Sequence, residues 1–93
     1  LDTTRDLRRL YYACAAYAGE HGGAMPATMS QLDPYLGERR LMKDYRLVAR
    51  GNFEDLQRSS VTPVFQSTDS DWDGDYVVIF GDSRCGKVEG SKR

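Results

Sequence analysis

The spacing of apolar residues changes partway along this chain, and that change constrains the fold more than any other feature. Through Glu20, the residues Leu7, Leu10, Tyr11, Cys14, Tyr17 and Ala18 recur at helical spacing and share one face. Arg5, Arg9, Ala16 and Glu20 lie roughly opposite. No Pro or Gly interrupts the pattern before Gly19. Gly22 and Gly23 then stop it, because glycine takes the left-handed conformation after a helix without a Cβ clash. Pro26 fixes an extended turn. Thr28 with Gln31 resembles a capping box and opens a short helix carrying Met29, Leu32, Tyr35 and Leu36. Pro34 leaves two readings: the helix ends before Asp33, or Asp33 caps a fresh turn with Pro34 first in it. Gly37 closes the element in both.

From there the pattern is that of strands. Residues 45–50 partly alternate, and residues 61–66 form a second candidate, with Pro63 arguing for a sheet edge. Tyr76-Val77-Val78-Ile79-Phe80 is a continuous β-branched and aromatic run suited to a central strand. Residues 83–89 supply a short last strand. Gly51-Asn52 and Asp73-Gly74 are dipeptides that hairpin turns favour. A long helix, a short helix and then an antiparallel sheet make an α+β fold, the sheet burying its apolar face on the first helix. At 93 residues the chain is one domain, residues 1–93, without internal repeats.

Charge excludes several classes. Thirteen basic and 14 acidic residues leave a net charge of -1, so no global field attracts nucleic acid or anionic lipid. No apolar run approaches the roughly 18 residues of a membrane helix. The chain opens at Leu1, without Met and inside the helical pattern, which leads us to expect that its natural N-terminus lies upstream. Cys14 and Cys85 are too far apart for a CxxC or zinc-ribbon motif. They form either a disulfide tying the first helix to the last strand or two unpaired thiols.

Both ends of the chain match a known pattern. Leu7-Arg8-Arg9-Leu10, Ala13, Tyr17-Ala18-Gly19-Glu20, Gly22-Gly23 and Pro26 fall in the order NLRxLxxAxxxYAxExxGxxP, and Leu32 and Tyr35-Leu36 follow. Residues 78–89 are similar to a closing hairpin, VxFxDGHVE, with Asp82-Ser83 in place of Asp-Gly and Trp72 where one subgroup has histidine. In this combination the chain resembles the globular part of type II secretion pseudopilins of the G type. The resemblance covers roughly half the chain and implies a pilin-like fold. It also implies a non-enzymatic filament subunit, anchored in the bacterial inner membrane by an apolar helix that precedes this segment. The globular domain would then lie in the periplasm, and the partners would be other pseudopilin subunits and the secretion machinery. On that resemblance the membrane would be touched only through the preceding helix. Arg5, Arg9 and Glu20, together with Asp2, are then the candidate assembly face. The competing reading is a small extracytoplasmic binding module, with calcium as its candidate ligand.

The calcium idea comes from Asp69-Ser70-Asp71-Trp72-Asp73-Gly74-Asp75, which begins like a calcium loop. Asp69, Asp71, Asp73 and Asp75 are the candidate ligands. The twelfth position of an EF-hand loop would be Phe80, so the motif is not an EF-hand. The competing reading is a solvated acidic turn. His21, the only histidine, suits the C-terminal end of the helix dipole better than catalysis. Ser83 lacks a nucleophile context, and no triad can be assembled. Tyr11 and Tyr17 belong to the core face, whereas Tyr12 lies off it and is the aromatic residue expected to make contacts.

Overall fold

The structure is a computed structural model that describes residues 2–37 and 40–89. Helix α1, Asp2–Glu20, follows the expected register. Leu7, Leu10, Tyr11, Cys14 and Ala18 are buried, Ala13 joins them, and Tyr17 is partly buried. The helix closes on a Schellman turn: the Gly23 N–H donates to the Ala18 carbonyl at 2.8 Å while Gly22 sits at φ 66. Pro26 beyond it is fully buried.

The next element, Met29–Tyr35, is a 3-10 helix that runs through Pro34, so neither sequence reading of that proline holds. The tighter i→i+3 winding carries the turn past the missing N–H, and the Leu36 N–H closes it on the Asp33 carbonyl. Gln31 Oε1 reaches back to accept from the Ala27 and Thr28 N–H groups.

A short helix follows, then four strands with a second short helix between the first two, and the sequence announced neither helix. The elements are α2 (Arg40–Asp44), β1 (Tyr45–Leu47), α3 (Phe53–Gln57), β2 (Pro63–Ser67), β3 (Asp75–Phe80) and β4 (Cys85–Glu89). The sheet order is β1-β2-β3-β4, every pair antiparallel. β3 is interior as expected, with Val78 and Ile79 fully buried. β2 is also interior, which corrects the edge expected from Pro63. That proline occupies the first strand position, beyond the β1 ladder, beside a register shift that absorbs its lack of a donor. Gly51-Asn52 is not a hairpin turn either. Asn52 caps α3, its side chain accepting from the Glu54 N–H at 2.9 Å.

α1 lies across one face of the sheet, against β2 and β3. Leu7, Leu10 and Cys14 join Leu32, Leu41, Phe65 and Ile79 in one contiguous core. No helix among the described residues is long and apolar enough to cross a membrane.

Candidate functional site

The segment before β3 is built around one carboxylate. Asp71 Oδ1 accepts from the Asp73 and Asp75 N–H groups, both at 3.0 Å, and the Gly74 N–H donates to the Asp71 carbonyl. Gly74 takes φ 88, which lets the chain reverse there. Asp71 Oδ2 pairs with Lys87 Nζ of β4 at 2.8 Å. The Lys87 ammonium holds the Asp71 carboxyl below the usual carboxylate range, and Asp71 in turn raises Lys87. The place a hard cation would need at Asp71 is therefore taken by a lysine. Among the described residues, no group of three or more His, Cys, Asp or Glu gathers as metal ligands. Asp71 and the backbone of Asp73, Gly74 and Asp75 thus form one hydrogen-bonded turn.

Next to this turn is a groove of about 470 Å³ between the first turn of α1 and the β3–β4 pair. Thr3, Thr4, Trp72, Val77, Cys85 and Lys87 border it. Trp72 is 100% exposed, an unusual state for the largest apolar side chain in the molecule. On α1 itself, Arg5, Arg8, Arg9, Tyr12, Ala16 and Glu20 are exposed, and Tyr12 retains 65% of its surface. Arg5, Arg9 and Glu20 therefore all reach solvent. Glu20 also accepts a hydrogen bond from the Tyr35 hydroxyl, which ties it to the 3-10 helix. Asp2 contributes only its backbone to the described residues, so its place on that face lies outside the description.

No family model, no curated protein and no solved structure matches this chain.

Cys14 and Cys85 are free thiols in the structure. Cys14 is buried in the core, its Sγ 3.4 Å from Met25 Sδ, and burial pushes its thiol up to about 12. Cys85 sits half-buried in the groove. His21 stacks on Tyr17 with ring centroids 3.8 Å apart, and its Nδ1 donates to the Tyr17 carbonyl at 2.7 Å.

Sequence reading missed Asp6, which is 4% exposed on the inner side of α1. The Arg40 guanidinium binds both its oxygens, at 2.9 and 3.1 Å, and the Tyr45 hydroxyl donates at 2.8 Å. Arg40 holds the Asp6 carboxyl below its ordinary value, against the opposing effect of burial. This cluster joins α1 to α2 and β1. The only signal for it in the sequence was a charged residue beside Leu7 on an otherwise apolar face.

Proposed function

We propose that this chain is the globular domain of a type II pseudopilin-like subunit, a non-enzymatic building block of a secretion pseudopilus or related filament. An apolar helix preceding α1 would anchor it in the bacterial inner membrane, with the domain in the periplasm. One observation carries the reading. The two sequence patterns that suggested it each fall on one structural unit. The first forms a single helix closed by Gly22 and Gly23, with Pro26 docked in the core. The second forms the β3–β4 hairpin, whose Ser83 adopts φ 74. That left-handed backbone is what glycine supplies without strain in the resembled Asp-Gly turn, so the substitution retains the turn.

The test uses the complete natural gene in its own host. Membrane fractionation and shearing should yield an inner-membrane protein that enters filaments. Arg5→Glu combined with Arg9→Glu should reduce assembly while the circular dichroism melting curve is retained. Release of the protein as a soluble monomer after cleavage of a conventional secretory signal would instead establish the binding-module reading.

A further inference from the structure

We draw no further inference here: the strongest candidate, the groove between the first turn of α1 and the β3–β4 hairpin with the exposed Trp72 at its border, has its charged lining residues, Asp71 and Lys87, paired with each other, and nothing in the structure shows what covers it.

Discussion

The Tyr11 hydroxyl donates to the Gly81 carbonyl oxygen at 2.7 Å, joining α1 to the turn after β3 across 70 residues of sequence. The same glycine is pressed against α3: a Cβ built on Gly81 would stand 1.8 Å from the Leu56 carbonyl oxygen. Gly81 is thus the point where helix, hairpin and α3 meet. Tyr11→Phe keeps the ring against Phe53 and leaves a buried carbonyl without its donor. We expect it to cost about 1–2 kcal/mol in urea unfolding. Gly81→Ala has to move backbone, and should reach or exceed the upper end of the roughly 1–3 kcal/mol typical of overpacking. A Gly81→Ala protein as stable as wild type would mean that α3 is not held against this turn.

Ser83 should respond in the opposite direction. The Ser83 N–H donates to the Phe80 carbonyl, the Phe80 N–H donates to the Arg84 carbonyl, and Ser83 holds φ 74 between them. This is a type I turn followed by a left-handed bulge residue. A side chain there costs about 1–2 kcal/mol. Glycine returns part of that gain through the entropy of the unfolded chain, about 0.4–1 kcal/mol. Ser83→Gly should therefore raise stability by about 0.5–1 kcal/mol, read as a higher denaturation midpoint at constant m-value. A lower midpoint would show that the hydroxyl makes a compensating bond.

What the sequence disclosed follows from the range of the interactions involved. α1 was legible because six buried positions from Leu7 to Ala18 repeat over several turns. β3 was legible because its β-branched run admits few alternatives. α2 and α3 were not, since each has five residues, too few to establish a period. Gly51-Asn52 misled because the dipeptide that favours a hairpin also favours a helix cap, and only the tertiary course of the chain decides. The Asp6–Arg40 pair spans 34 residues and depends on α2, so nothing local revealed it. In the candidate site the acidic run was visible. The lysine opposite Asp71 was not, because it comes from the β3–β4 register.

The Asp6 cluster should make stability depend on pH at both extremes. The Asp6 carboxyl is lowered, first by its Arg40 hydrogen bonds. Its contribution is therefore complete above the unfolded value near ~3.9 and disappears as pH falls through the lower folded value. Tyr45 is raised to about 12, first by burial and then by its bond to Asp6. Its contribution is complete below the ordinary tyrosine value near ~10 and is lost as pH rises through the folded value. Asp6→Asn should flatten both limbs and cost about 1–3 kcal/mol at neutral pH. Urea midpoints across the pH range provide the measurement, and parallel curves for the two proteins would refute the assignment.

The two thiols should be distinguishable by reactivity. Cys85 is accessible from the groove, whereas Cys14 is buried with its thiol at about 12. A thiol reagent added to the native, unreduced protein should label one cysteine, and unfolding should release the second. If the unreduced, unfolded protein shows no reactive thiol, the two are bonded after all.

Calcium gives the most direct test of the acidic turn. A cation at Asp71 would have to displace Lys87 from one oxygen and compete with two backbone N–H donors for the other. Asp69 and Asp73 are exposed and stay hydrated where they are, so binding has to reorganise the turn before it collects ligands. Millimolar calcium at matched ionic strength should therefore leave the melting temperature unchanged. Lys87→Ala removes the competing ammonium and is the variant in which a shift should first appear. Ligand binding to the native state raises the melting temperature by mass action, so the readout is sensitive to weak sites. A calcium-specific rise in the wild-type protein would reject the lysine-locked turn if it were lost on replacing any one of Asp69, Asp71 or Asp73. Magnesium should then do less, because it demands tighter octahedral geometry.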